Sequence, residues 1–272
     1  MVRKRKPAVA GIFYPDDPRA LRRYVDDALR AAERRAPRLG RVRAIIAPHA
    51  GYRHSGAIAA AAYAALRHAG AVRRIALLGP AHTVPVRGLV APLRELFGTP
   101  LGDVPVDVAG RDALLKAGLI HAADVPHQRE HSLEVHLPFI QRLYPGTLVL
   151  PLVVGEASPR EVARVLAELL DEETLIIISS DLSHHGPREA ARAHDLATAR
   201  RIEALDDGAL TPQDACGARA INGLLRLARE QGWRARRLDL RNSGDTASDK
   251  SHVVGYGAWA FVEPAAQAPE TA

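Results

Sequence analysis

The sequence predicts a single α/β domain whose central sheet is mostly parallel or mixed and is flanked by helices. Three observations lead there. Short apolar runs alternate with longer Ala- and Arg-rich runs of helical period, the pattern of strands exchanged with helices. The run "TLIIISS" (174–180) is too apolar for a strand with one wet face, so it belongs inside a sheet covered on both sides. No linker, internal repeat or second hydrophobic core interrupts the pattern. The domain is therefore expected to span residues 1–262, with "PAAQAPETA" as a disordered C-terminal tail over about 263–272.

The elements follow in order. After a short N-terminal segment, Asp16 or Asp17 can cap a helix that Pro18 opens and that runs to about residue 36. "RVRAIIAP" reads as a strand. "SGAIAAAAYAALRHAG" reads as a helix, with Ser55 as cap and Gly70 past its end. "VRRIALLG" and "GLVAPL" are strands, and "FGTPLGDVPVD" has the Gly and Pro chemistry of a hairpin. "DVAGRDALLKAG" is a helix, and "LEVHLPFIQRLYPG" is another, disturbed by Pro138. "TLVLPLVVG" is a strand. In "SPREVARVLAELLDEE", Ser158, Pro159 and Glu161 form a capping box with proline at the first helical position. Helices over about 188–206 and 214–231 precede two closing strands, "WRARRLDLRN" and "HVVGYGAWAFVE".

Composition narrows the function. Of 272 residues, 47% are apolar, enough for a sizeable core, yet no run reaches the roughly 18 residues of a membrane span. The basic start "MVRKRK" is not followed by an apolar stretch, so no signal peptide is expected. The net charge of +6 comes from 37 basic residues, 33 of them arginine, interleaved with acids on helical runs. With aromatics at only 4%, no stacking platform accompanies them, which argues against nucleic acid. The lone Cys216 allows no internal disulfide and suits a reducing cytoplasm.

Three strands end alike. "AIIAPHAGY" (44–52), "RIALLGPAHT" (74–83) and "LIIISSDLSHHG" (175–186) each run from an apolar strand into a turn carrying His49, His82, or Asp181 with His184. Ligands in open α/β sheets sit beyond the carboxyl ends of the strands, so neighbouring parallel strands would converge these imidazoles on one crevice. Neutral imidazole is a ligand for Zn, Cu and Fe, and also an acid or base; position alone does not divide the roles. Cys216, in "TPQDACGARAINGLL", is expected at or just before a helix's first turn, where Asp214 or Thr211 could cap and the dipole would lower a thiol's pKa. "QREHSLEVHLPF" (128–139) gathers His131, Glu134 and His136. The two histidines are five apart rather than four, so they diverge on a helix and do not form an H-E-x-x-H zinc box. Support of a site from behind is the expected role of His131 and Glu134. The polar stretch "NSGDTASDKSHVVGY" reads as a loop that could rim a site.

Taken together, "AIIAPHAGY", "LLGPAHTVP", "FGTPLGDVPVD", "EHSLEVHLPF", "PLVVG", "SSDLSHHG" and "DACGARAI" resemble the Memo family, also called AmmeMemoRadiSam system protein B, over roughly residues 8–262. That family is in turn similar to class III (LigB-like) extradiol dioxygenases, which hold non-haem Fe(II) with two histidines and a glutamate. The resemblance implies a LigB-like fold with His49 and His82 as metal ligands and Cys216 in the third-ligand position. It implies His184 as the acid/base histidine, with Asp181 beside it. A cysteine in place of glutamate departs from the dioxygenases and puts ring cleavage in doubt. The family name also implies radical SAM and AMMECR-type proteins as partners. Three functions follow as expectations: a mononuclear Fe(II) or copper redox enzyme acting on an unknown small molecule, a non-catalytic metal- or partner-binding component, and a zinc hydrolase.

Overall fold

The structure is a computed structural model that describes residues 3–245 and 251–264. Along the chain run β1 (Lys4–Arg5), α1 (Pro18–Glu33), β2 (Val42–Ala47), α2 (Tyr52–Ala65), β3 (Arg74–Pro80), β4 (Leu89–Ala91), β5 (Leu96–Thr99) and β6 (Gly102–Pro105). Next come α3 (Val108–Lys116), β7 (His121–Ala122), α4 (Val125–Gln128), α5 (His131–Glu134), α6 (Leu137–Leu143), β8 (Leu148–Val154) and α7 (Pro159–Leu169). The rest are β9 (Thr174–Ser179), β10 (His184–Gly186), α8 (Arg188–Glu203), α9 (Ala218–Glu230), β11 (Arg234–Asn242) and β12 (Val253–Val262).

Among the described residues the main sheet runs β10-β12-β2-β9-β3-β8-β4-β7, with β11 also paired to β12. The four middle strands, β2, β9, β3 and β8, are mutually parallel, while β12 and β4 join them antiparallel. The sheet is mixed, with β9 inside it between β2 and β3. The hairpin expected at 97–107 is the antiparallel pair β5–β6, in a small sheet with β1.

Strand residues alternate between two cores, as period-two geometry requires. Ile45, Ile75, Leu77, Leu175 and Ile177 pack towards α1, α2 and α6, where Leu21, Val25, Ile58 and Phe139 lie. Ile46, Ala76, Leu78, Ile176 and Ile178 pack towards α7, α8 and α9, on Val162, Leu166, Ile202 and Leu224. That is why β9 reads as continuously apolar: both of its faces are covered. Each fully buried isoleucine contributes roughly 1.5–3 kcal/mol of transfer free energy. No helix among the described residues is long and apolar enough to cross a membrane.

Helix ends depart from expectation at three places. Helix α2 starts at Tyr52 with Gly51 as cap; Ser55 lies inside it and donates to the Ala50 carbonyl rather than capping. Pro138 splits the expected 133–146 helix: α5 ends after Glu134 and α6 restarts with the proline in its first turn, where a missing N–H costs nothing. Helix α9 begins at Ala218, because Asp214 closes a turn on its own side of Cys216, accepting from the Thr211 N–H and hydroxyl. The capping box of Ser158 and Glu161 forms as expected. Most of the expected C-terminal tail, residues 265–272, and residues 246–250 of the polar loop lie outside the described residues.

Candidate metal centre

Strands β2, β9 and β3 lie side by side and parallel, so their carboxyl ends deliver three turns to one place. His49 follows β2 and is 2% exposed. Its Nδ1 lies 2.7 Å from Ser179 Oγ, at the end of β9. Ser179 Oγ in turn donates to the Ser132 carbonyl at 2.6 Å. The hydroxyl's one hydrogen is thereby used, so it accepts from Nδ1–H and leaves the His49 Nε2 lone pair bare. His82 follows β3. Its Nδ1 lies 2.9 Å from Glu130 Oε1, and its backbone N–H donates to Glu130 Oε2 at 2.7 Å. A carboxylate only accepts, so this ring also carries its hydrogen on Nδ1 and exposes Nε2.

His131, the first residue of α5, completes a cluster. The rings of His49, His82 and His131 lie 4.7–5.4 Å apart, centre to centre. Each offers a nitrogen within 4.8 Å of the other two. Burial first, then the nearby imidazoles, hold His49 well below the ordinary histidine range, and burial lowers His131. Both shifts suit neutral, metal-ready imidazole. Sequence spacing placed His131 behind the site; the fold puts it in the cluster, with Phe13 packed on its ring at 4.7 Å. His136 diverges, as its spacing requires, and pairs with the Tyr63 hydroxyl in the core.

Cys216 stands next to His49, with Sγ 3.3 Å from Nε2. The Asp181 N–H donates to the same sulfur at 3.3 Å. The expected depressed thiol is not found. Cys216 does lie just before α9, whose cap is Gly217. Burial and the Asp181 charge push its thiol up to about 12, outweighing the hydrogen bonds that favour thiolate. A bound metal cation would deprotonate it outright.

Asp181 lies two residues past β9, buried. Its Oδ1 accepts from the backbone N–H of His49 at 2.8 Å and of Ala50 at 3.3 Å, and its Oδ2 lies 4.0 Å from His49 Nε2. Burial raises this carboxyl more than those N–H groups lower it, leaving it at about 7. His184 is an exposed residue at the start of β10, opposite Val254. Glu134 does not touch the imidazoles' free nitrogens. It is fully buried and pairs with Arg5 at 2.5 Å, with the Tyr14 hydroxyl, and with the N–H groups of Ala8 and Val9. Its work is to tie the N-terminal segment to α5.

Sequence reading gave no site role to Glu130 or Ser179, which hold the two ring Nδ1 atoms. The only signal for Glu130 was its place directly before His131; for Ser179, its place at the end of an apolar strand. Burial pushes the Glu130 carboxyl up, but hydrogen bonds and charge from His82, and the Ser132 N–H, outweigh that and hold it at about 2. Beside the cluster opens a cleft of about 820 Å³, lined by His82, Thr83, Val86, Val154, Cys216 and Arg219 among others. Neutral imidazoles fastened at Nδ1, with bare Nε2 atoms and a sulfur alongside, are a donor set that fits a transition metal.

Several known proteins are similar to this chain to different degrees. A crystal structure of an uncharacterized protein from Escherichia coli K12 superposes with a TM-score of 0.48 at 13% identity, over 79% of this chain and 99% of that one. A MEMO1 family protein of Methanothermobacter thermautotrophicus is 34% identical, covering 93% of this chain and 98% of its own length. One from Aquifex aeolicus is 36% identical over 94% and 98%, and one from Aeropyrum pernix 35% over 93% and 98%. The sequence model described as Memo-like protein matches residues 5–260, which takes in every residue of the centre described above, and the chain therefore belongs to the Memo-like family.

Proposed function

We propose that this protein is a mononuclear metal-dependent redox enzyme that uses Fe(II) or copper on a small organic substrate. The residues that would hold the metal are His49, His82 and His131, with Cys216 as a sulfur donor beside His49. The observation that carries the reading is the fastening of two rings at Nδ1, by Ser179 and Glu130, so that Nε2 is the atom each ring offers when neutral. A metal held there would supply one-electron chemistry and Lewis acidity. The chain supplies the rest. The cleft beside His82 and Cys216 receives the substrate. Asp181 Oδ2 holds or gives up a proton near neutral pH, close to His49, and His184, whose charge reaches His49 from the surface, is the proposed acid/base histidine. Radical SAM and AMMECR-type proteins, which the family resemblance implies, are the proposed partners.

The test is anaerobic titration of metal-free protein with Fe(II), Cu(I) and Zn(II), followed by electron paramagnetic resonance before and after O2. One equivalent of Fe(II) or copper, lost in His49→Ala and His82→Ala, is expected. Tight binding of Zn(II) alone would replace this reading with a hydrolase. No stoichiometric binding of any of the three would refute a metal centre.

A further inference from the structure

We propose that Glu130 is the positioning residue of this centre: one buried carboxylate that sets the tautomer of His82 and locks His82 and His131 into a common frame. The inference rests on the metal reading above for its purpose, but not for its test.

The geometry is specific to a carboxylate. Glu130 Oε2 accepts from the His82 backbone N–H at 2.7 Å. Its Oε1 lies 2.9 Å from His82 Nδ1 and accepts from the Ser132 N–H at 2.9 Å. His131 Nδ1 is 3.6 Å from the same Oε1. Each hydrogen-bonding partner is a donor, and both oxygens are engaged. Ser132 belongs to α5, whose cap is Glu130 itself, and His131 opens that helix. Thus the carboxylate joins the turn after β3 to a helix 48 positions further along the chain. It does so at two atoms of His82, which fixes both the position of the backbone and the rotation of the ring.

Three consequences follow. The hydrogen of His82 stays on Nδ1, so the lone pair stays on Nε2, facing the cluster. The carboxylate orients that lone pair, as acceptors behind metal-bound histidines do. The spacing between His82 and His131 is also set before any metal arrives.

Glutamine cannot substitute. It offers one acceptor and one donor, so in either orientation an amide NH2 faces an N–H: that of His82 on one side, or those of Nδ1 and Ser132 on the other. Aspartate separates the two duties. It is among the best helix caps, so it keeps the Ser132 bond and α5. Being one methylene shorter, it lets go of His82.

The experiment compares wild type, Glu130→Asp and Glu130→Gln as full-length, metal-free protein, with circular dichroism as the fold control. Long-range 15N–1H correlation spectra read the His82 tautomer directly, with His82→Gln giving the assignment. Wild type should show hydrogen on Nδ1 only. Glu130→Asp, which carries the test should Glu130→Gln fold poorly, should show a tautomer mixture. Its Co(II) affinity should fall by roughly 10- to 100-fold, with a changed visible d–d spectrum. An unmixed Nδ1–H tautomer with unaltered Co(II) affinity and spectrum in Glu130→Asp would overturn the proposal. Wild type that shows the tautomer but binds no Co(II) would overturn the metal reading instead, while the tautomer comparison still decides the role of Glu130.

Discussion

His136 allows a quantitative check of the packing that supports the centre. It is fully buried, its Nδ1 is 2.9 Å from the Tyr63 hydroxyl, and burial drives its pKa from 6.5 to about 3. Below pH 6.5 the unfolded chain protonates this ring and the folded protein does not. Stability therefore falls as pH drops from 6.5 towards 3, and is unaffected by this residue above 6.5. Between about pH 7 and pH 5 the loss from one such group is about 2 kcal/mol. Other groups titrate in that window. His127, lowered to about 4 chiefly by burial, adds to the loss. Asp181, raised to about 7, works the other way, because the folded protein takes up a proton that the unfolded chain refuses above 3.8. The wild-type curve is therefore a sum, and a difference isolates one residue. His136→Asn removes the titration and keeps a polar atom near the Tyr63 hydroxyl. Its cavity cost does not depend on pH. Urea unfolding of metal-free protein, followed by circular dichroism at both pH values, should give a pH-induced loss smaller in the variant by about 2 kcal/mol. Equal losses in the two proteins would refute the buried neutral imidazole.

Three further outcomes are expected. In competition titrations, Cys216→Ser should lose Cu(I) affinity by about tenfold or more while His131→Ala loses Zn(II) and Fe(II) preferentially, since thiolate is the softer donor; Cys216→Glu should move preference towards Fe(II). Identical preferences in all these proteins would place sulfur outside the coordination sphere. Arg5→Ala strands the buried Glu134 carboxylate and should cost about 3–5 kcal/mol in urea unfolding; a loss below about 1 kcal/mol would mean that the Tyr14 hydroxyl and the Ala8 and Val9 N–H groups suffice. At Gly217 an added Cβ would lie 2.6 Å from the Ser179 carbonyl and 2.7 Å from Ser180 Cβ, so Gly217→Ala must push the Cys216 turn away from β9. Cu(I) affinity should fall in that variant, and an unchanged value would show that the turn has slack.

What the sequence made legible was whatever leaves a periodic or local signature. The doubly covered β9, the β5–β6 hairpin and the α7 capping box all read correctly, because each is decided by residues within a few positions. The convergence of His49 and His82 was also readable, since parallel neighbouring strands carry their carboxyl-end turns together. The state of Cys216 was not. A helix start lowers a thiol's pKa only if the thiol is inside the first turn and open to it, and burial against Asp181 overrode the dipole. Glu134 shows the same limit: its partner Arg5 is 129 positions away. No pattern near His131 distinguishes a glutamate that serves the imidazoles from one that fastens the N-terminus. Glu130 does the former, one step before His131 and with nothing in its own spacing to mark it.

The donors at positions 49, 82, 131 and 216 have no local version, and that bears on how the protein is made. At typical synthesis speeds of about 5–20 residues per second, residue 216 follows residue 49 by roughly 8–33 s. Throughout that interval His49 lacks the sulfur that stands 3.3 Å from it in the finished fold, and for the earlier parts of it Glu130 and then Ser179 are missing as well. An imidazole lacking its fixed tautomer and neighbours is an ordinary weak ligand. On the proposed metal reading, loading therefore belongs to the completed chain, and a ribosome-bound fragment would compete for scarce metal no better than any other histidine-bearing peptide.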